Sequence, residues 1–272
     1  MEQLIDLLKY LLLGLFQGFT EPIPVSSSGH LVIAQEFLGI ETENISLLAL
    51  LNFASLLAVL VIYWDDITRL LLNSVRHIEK PCAATRSDFR YVLYLIIGTL
   101  PAMVIGLLGK DFIDLHLNRI ETVGITLIIT GCALWFIRKS RGWRADGDLT
   151  MKDAWLVGLG QAVALTPGIS RSGATIVVAM LLGMHRETAF RFSFLLYIPV
   201  SLGGFILGIG DFLEEDLSLM MIIIYLISLL GAFIMTYFSL KWFMNIMAKG
   251  KLGYFAIYCF IVGPAVLIYS LL

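Results

Sequence analysis

Residues 21–30 read EPIPVSSSGH: an acid, two prolines, three consecutive serines, a glycine and an imidazole within ten positions. Apolar runs flank the stretch, LLLGLF before it and LVIA after it. Proline removes a backbone donor and glycine loosens a helix, so the apolar region 4–38 reads as two half-helices around a non-helical turn. In hydrocarbon such a turn survives only where protein buries it or where it lines a polar cavity. Intramembrane ionisable residues are costly and by default mark function, so Glu21 and His30 point to a site.

The rest of the chain supplies the membrane context. Hydrophobic residues make up 58% and charged residues only 15%, with a mean hydropathy of +0.88. These values describe a polytopic membrane protein and not a soluble core. The net charge of -2 argues against a nucleic-acid partner. Cys82, Cys132 and Cys259 lie far apart without metal-ligand spacing and read as inert small hydrophobes. The start, MEQLIDLLKY, has no basic n-region, so no signal peptide is expected. Segments 45–64, 91–109, 121–137, 192–210, 217–240 and 252–272 each approach the ~20 residues of a spanning helix. A second apolar region, 153–183, is broken like the first, at TPGISRSGAT (166–175). The expected fold is therefore an all-α polytopic membrane protein, one domain over 1–272, with about six transmembrane helices and two re-entrant helical hairpins.

Loop charges give an orientation. Basic residues gather in loops 65–90 (Arg69, Arg76, Lys80, Arg86, Arg90), 138–152 (Arg138, Lys139, Arg141, Arg144, Lys152) and 241–251 (Lys241, Lys249, Lys251). Segment 39–44 has no Lys or Arg, and 211–216 (DFLEED) is acidic. The alternation places 138–152 inside and 39–44 outside; loop 110–120, with Lys110 and Arg119, fits least well. Three crossings between the hairpins then put the first hairpin in from outside and the second in from inside.

A shift of 144 positions aligns the two broken regions without a gap. Gly14, Leu15 and Gln17 fall on Gly158, Leu159 and Gln161; Ser26, Ser28 and Gly29 on Ser170, Ser172 and Gly173; Leu38 and Gly39 on Leu182 and Gly183. The expected architecture is an inverted-topology repeat with halves at about 1–140 and 145–272. Paired interrupted segments in inverted halves point to a buried site at the midplane. The cargo of the two turns differs: Glu21 lies opposite Leu165, Ser27 opposite Arg171, and His30 opposite Ala174.

The second turn reads as an anion site. Gly168 and Gly173 allow close backbone approach, Ser170 and Ser172 offer hydroxyls, and the following half-helix aims its N–H groups at the turn. Arg171 adds a guanidinium that can take two phosphate oxygens. In the first turn, Ser27 and His30 are three apart and share a helix face, so the imidazole could take a proton from the hydroxyl or from a water. Glu21 and Gln17, four apart, also share a face. Glu21 could orient His30 or hold a divalent cation whose other ligands are phosphate oxygens. Blander readings suit other polar residues. His77, His116 and His185 read as solvated loop histidines. Pro101 and Pro199 read as kinks in spanning helices. Asn52 and Ser55 either face the cavity or bond a neighbouring helix. Trp64 and Trp135 read as interface anchors.

With these motifs the chain resembles the bacterial undecaprenyl-diphosphate phosphatases, the bacitracin-resistance family, over essentially its whole length. The family's first motif, an (E/Q)-x-x-x-E pair followed by PVSS-x-GH, stands here as QGFTE (17–21) and PVSSSGH (24–30); the second, PG-x-SRS-x-x-T, stands as PGISRSGAT (167–175). The resemblance implies a multi-pass enzyme of the bacterial cell membrane that removes the terminal phosphate of undecaprenyl diphosphate. It thereby recycles the carrier for peptidoglycan synthesis and confers bacitracin resistance. It also implies a divalent cation, Mg2+ or Ca2+, and a site open to the outer face. Carried over by motif, the catalytic positions are Glu21, Ser27, His30 and Arg171, and the phosphate-binding positions are Ser26, Ser170, Arg171, Ser172 and Thr175. Gln17 stands where many members carry Glu; an amide is a poor metal ligand and no base, so the acid and metal function rests on Glu21. Whether Ser27, His30 or water attacks stays open at this point, as does a homodimeric state. The rival reading is a transporter or flippase for a phosphorylated lipid, which would not need the Glu21, Ser27 and His30 cluster.

Overall fold

The computed structural model describes residues 2–39, 45–117, 119–214 and 217–271. Every extended regular element among them is helical. The first broken region forms α1 (Glu2–Thr20) and α2 (Ser27–Leu38). Next come α3 (Ile45–Ile62), α4 (Trp64–Glu79), α5 (Ala83–His116) and α6 (Ile120–Ile137). The second broken region forms α7 (Met151–Val163) and α8 (Arg171–Leu181), and the chain closes with α9 (Arg186–Glu214), α10 (Leu219–Ala248) and α11 (Gly253–Ser270).

Five of these helices, α5, α6, α9, α10 and α11, are long and apolar enough to cross a membrane. α3 passes the same test together with α4, from which it is bent by 76°. Their outward faces carry Leu108, Phe136, Ile206, Leu207 and Ile261, all exposed, as suits side chains whose solvent is lipid. The chain is thus an all-α, multi-pass membrane protein.

The expected basic loop 65–90 is mostly helix. Asp65 and Asp66 in the first turn of α4 and Arg76 and His77 in its last complement the helix dipole. Leu70 and Ser74 are buried while Leu71, Leu72, Val75 and Ile78 are exposed, the pattern of a helix lying in an interface. Likewise α5 continues through much of the expected loop 110–120, and α10 through most of 241–251. Most of 39–44, and residues 215 and 216 of the acidic segment, lie outside the described residues.

The two hairpins make matching contacts. α1 packs on α10 and α7 on α5, while α2 and α8 both reach α6. Gly14 of α1 lies against the backbone of Ser228, and Gly158, its counterpart at the 144-residue offset, against the backbone of Gly98. Small residues let helix axes approach in this way. α3 and α9 pack on each other in the centre, as do α6 and α11. Thr150 and Asp153 form a capping box at the start of α7, and the Asp153 carboxylate also takes a 2.5 Å bond from Arg144.

The isolated polar residues of the spans have identifiable partners. Ser55 accepts a 2.9 Å bond from Thr236 of α10. Asn52 belongs to the site described next. Pro101 and Pro199 lie inside α5 and α9. Trp64 and Trp135 are exposed near helix ends. His116 and His185 are exposed, whereas His77 bonds Thr85 at 2.9 Å and stacks on Phe89.

Candidate active site

Both turns are built by one capping device. Ser26 precedes α2 and accepts the Gly29 N–H at 3.3 Å; Ser170 precedes α8 and accepts the Gly173 N–H at 3.1 Å. Each cap also meets the serine two residues on at 3.3 Å, Ser28 or Ser172. A serine cap satisfies a helix-end donor that hydrocarbon would leave orphaned. The hydroxyls of Ser26 and Ser170, expected as phosphate ligands, accept these helix-end N–H groups. Thr175 behaves similarly: its hydroxyl donates to the Arg171 carbonyl at 2.9 Å and lies 2.5 Å from Ser193 Oγ. Ser172 lines a small recess with Glu21, Arg171 and Tyr197.

The turns meet. A Cβ added to Gly29 would lie 2.9 Å from the Gly168 Cα. Gly168 itself has φ +87, and a Cβ there would strike the Thr126 hydroxyl. Two threonines of α6 fasten this second turn, Thr126 by a 2.7 Å bond to the Pro167 carbonyl and Thr130 by a 3.2 Å bond to the Gly168 carbonyl.

This contact brings the unlike cargo together. Arg171 donates to Glu21 Oε1 across the turns. Glu21 Oε2 accepts from Gln17 Nε2 at 2.9 Å and from the Ser27 hydroxyl. The guanidinium of Arg171 sits 3.6 Å over the Tyr197 ring and donates to Ser201 Oγ at 3.1 Å. Tyr197 in turn donates to Asn52 Oδ1 at 2.6 Å. A planar cation over an aromatic face, with fixed donors, is held in one orientation.

His30 stands apart from the expected pair with Ser27. Its Nδ1 lies 2.8 Å from the Ser26 carbonyl and its Nε2 2.7 Å from the Tyr258 hydroxyl. A carbonyl only accepts, so Nδ1 carries the proton and, in the neutral ring, Nε2 accepts from Tyr258. The two rings also stack, with centroids 5.5 Å apart. Ser27 is the first residue of α2, and its hydroxyl swings back over the turn to Glu21. Ser27 and His30 thus lie on α2 at the expected spacing, while their side chains bond different partners.

Sequence reasoning brought Glu21, Ser27 and Arg171 to one place. It did not identify Tyr197, Ser201, Tyr258, Thr126 or Thr130. Two pairs carry a signal: Thr126/Thr130 and Tyr197/Ser201 are polar residues four apart, hence on one face, within the apolar stretches of spanning helices. Among the described residues no cluster of three or more His, Cys, Asp or Glu side chains could hold a metal.

Comparison with known proteins agrees over nearly the whole chain. The family described as "Bacitracin resistance protein BacA" matches residues 10–265. The chain is 59% identical to Undecaprenyl-diphosphatase 3 of Bacillus anthracis, over 99% of this chain and 100% of the relative. It is 54% identical to Undecaprenyl-diphosphatase 1 of Bacillus licheniformis, over 97% and 98%. It is 53% identical to Undecaprenyl-diphosphatase of Oceanobacillus iheyensis, over 97% and 96%. With both turns and the residues they join accounted for, the chain belongs to the bacitracin resistance protein BacA family.

Proposed function

We propose that the protein hydrolyses undecaprenyl diphosphate to undecaprenyl phosphate and inorganic phosphate within the bacterial cell membrane, recycling the lipid carrier of the cell wall and conferring bacitracin resistance. The observation that carries the site's chemistry is the junction of Arg171, Glu21 and Ser27 where the two turns touch. Arg171 and the N–H groups at the start of α8 receive the negative head group. Ser27 Oγ attacks the terminal phosphorus, and Glu21 Oε2, which already accepts the Ser27 proton, takes it up. The new Oγ–P bond forms as the bridging P–O bond to the polyprenyl monophosphate breaks. Water then splits the phosphoserine and releases inorganic phosphate. His30 and Tyr258 position the start of α2 through the Ser26 carbonyl.

The residues present fit a hard divalent cation that is shared with the substrate. Glu21 supplies one carboxylate, and Gln17 Oε1, a weaker ligand than the Glu of many family members, is buried without a hydrogen-bond partner and can add the kind of amide oxygen that Ca2+ takes. One carboxylate with further oxygens from phosphate and water is how Mg2+ is commonly held, and Ca2+ accepts the same donors. Bound there, the cation would neutralise charge on the phosphate oxygens.

A cavity of about 480 Å³ lined by Thr99, Met103, Leu165, Pro199, Gly203 and Leu207 supports the lipid side of this reading. Leu165, two residues before the second turn, is on its wall, so a polyprenyl tail in this groove would start near the head-group site.

The test is phosphate release from a polyprenyl diphosphate by the purified chain in detergent, with and without Mg2+ or Ca2+. Turnover without a second compartment is expected. Its absence, alongside lipid movement in vesicles, would favour translocation instead. Trapping labelled phospho-enzyme should place the label on Ser27; a label on His30 would reject the serine route.

A further inference from the structure

The reaction as described uses Glu21 and Ser27 but leaves one neighbouring feature without a role. A cavity of about 180 Å³ runs from Gln17, Glu21 and Ser27 along α2 to Gln35, with Asn52 of α3 on its wall. Gln35 is 1% exposed, and its Nε2 has no hydrogen-bond partner. Gln17, 2% exposed, leaves Oε1 unpartnered in the same cavity; an acceptor there suits a P–OH group or the shared cation and not a bare anionic oxygen. A buried amide donor without an acceptor is costly, so an acceptor oxygen that reaches Gln35 Nε2 gains a bond there. Asn52 adds to the wall: its Oδ1 is taken by Tyr197 and Ser201, which leaves Nδ2 as the amide's remaining donor.

The spacing sets what the cavity can hold. Gln35 is seven residues beyond Ser28, about 10 Å along a helix, and helical side chains lean back toward the N-terminus. Its amide therefore reaches a group beside the reaction centre and not the phosphorus that Ser27 attacks. The repeat adds a second point. At the 144-residue offset Gln35 falls on Ala179, so this donor is not part of the turn architecture the halves share.

We infer that this cavity is a binding and release subsite for the inorganic phosphate product, with Gln35 Nε2 as its far donor and Asn52 and Ser28 along the way. The inference rests on the phosphatase reading above. Phosphate carries several strong acceptor oxygens, and the cavity extends from the reaction centre to Gln35, so phosphate can move away along it while the monophosphate lipid stays with Arg171.

The experiment uses the full-length chain in detergent with inorganic phosphate as the probe, read in two ways. One is inhibition of polyprenyl diphosphate hydrolysis, followed by formation of the lipid monophosphate. The other is 31P line broadening of inorganic phosphate by the protein without lipid. Gln35→Leu should weaken both phosphate inhibition and phosphate binding by roughly tenfold, the loss expected for one hydrogen bond to an anion, while KM for the diphosphate moves less. Gln35→Glu, which keeps size and polarity but opposes an anion, should weaken them further, and it carries the test if Gln35→Leu does not fold. Unchanged inhibition and broadening in a folded Gln35 variant would overturn the subsite while leaving the phosphatase reading intact. A wild-type chain that binds phosphate in a Gln35-dependent way yet hydrolyses no diphosphate would overturn the phosphatase reading and keep the site.

Discussion

The first turn, 21–30, and the second, 167–175, share one capping device and divide the chemistry between them. Both start a half-helix on a capping serine and place a glycine three residues after it. The first turn then carries the carboxylate, the candidate nucleophile and the imidazole, and the second carries the guanidinium. Their surroundings differ as well. The second turn is laced to α6 by Thr126 and Thr130, whereas Ser26 of the first sits at φ 69, a conformation glycine prefers. A duplicated scaffold can thus hold two unlike half-sites, provided that the differences lie in side chains that project beyond the shared caps.

The largest effect should come from breaking the link between the turns. Arg171→Ala and Glu21→Ala should each lower kcat/KM by about three orders of magnitude or more, since phosphoryl transfer depends on charge neutralisation and positioning. The double variant should be no worse than either, because the pair acts as a unit. Each single change also strands a buried charge, at a cost of about 3–5 kcal/mol, and the double change should melt closer to wild type. Phosphate release and thermal melting in detergent check both statements; additive losses would mean that the turns act separately.

Within the first turn, Ser27→Ala should abolish the trapped phospho-enzyme and cost about as much turnover as Arg171→Ala. Tyr258→Phe removes one hydrogen bond from His30 and should cost roughly tenfold or less in kcat. If Tyr258→Phe or His30→Ala matched Ser27→Ala in a rapid-quench assay, the reaction would centre on the imidazole.

Within the second turn, Thr126→Val and Thr130→Val each leave a turn carbonyl short of a donor and should destabilise by about 1–2 kcal/mol. Melting curves read this, with a rise in KM expected as Arg171 loses its fixed base.

The smallest effect sharpens the comparison most. Ser170→Gly removes a cap at an ordinary φ of −69 and should cost a few tenths of a kcal/mol. Ser26→Gly removes the same cap but relieves a left-handed residue, a strain of order 1 kcal/mol. Its melting temperature should stay level or rise.

Much of this was legible because its causes are local. Pro22, Pro24 and the Pro167–Gly168 pair, each beside serines and a further glycine, mark breaks by local chemistry alone, and the 144-residue offset needs no structure to be seen. What escaped depends on distant packing. Ser27 pairs with Glu21 six positions back and not with His30 three positions on, because the direction of a side chain at the first position of a helix follows the turn before it. Tyr197 and Tyr258 reach the site from helices whose placement no short motif encodes. Charges alone mark 65–90 as a loop, while the period that makes α4 helical lies in Leu70, Leu71, Ser74, Val75 and Ile78 between them.

The Glu21–Arg171 contact joins residues 150 positions apart, and that distance is also a delay. At roughly 5–20 residues per second of synthesis, Arg171 emerges on the order of ten seconds after Glu21. Until then the carboxylate has no cation, and burying it alone would cost several kcal/mol. The first hairpin therefore has no thermodynamic reason to sink to its final depth before the second half is made. Completion of the site waits for the second half of the chain, and a chain interrupted before Arg171 should keep its acid facing water.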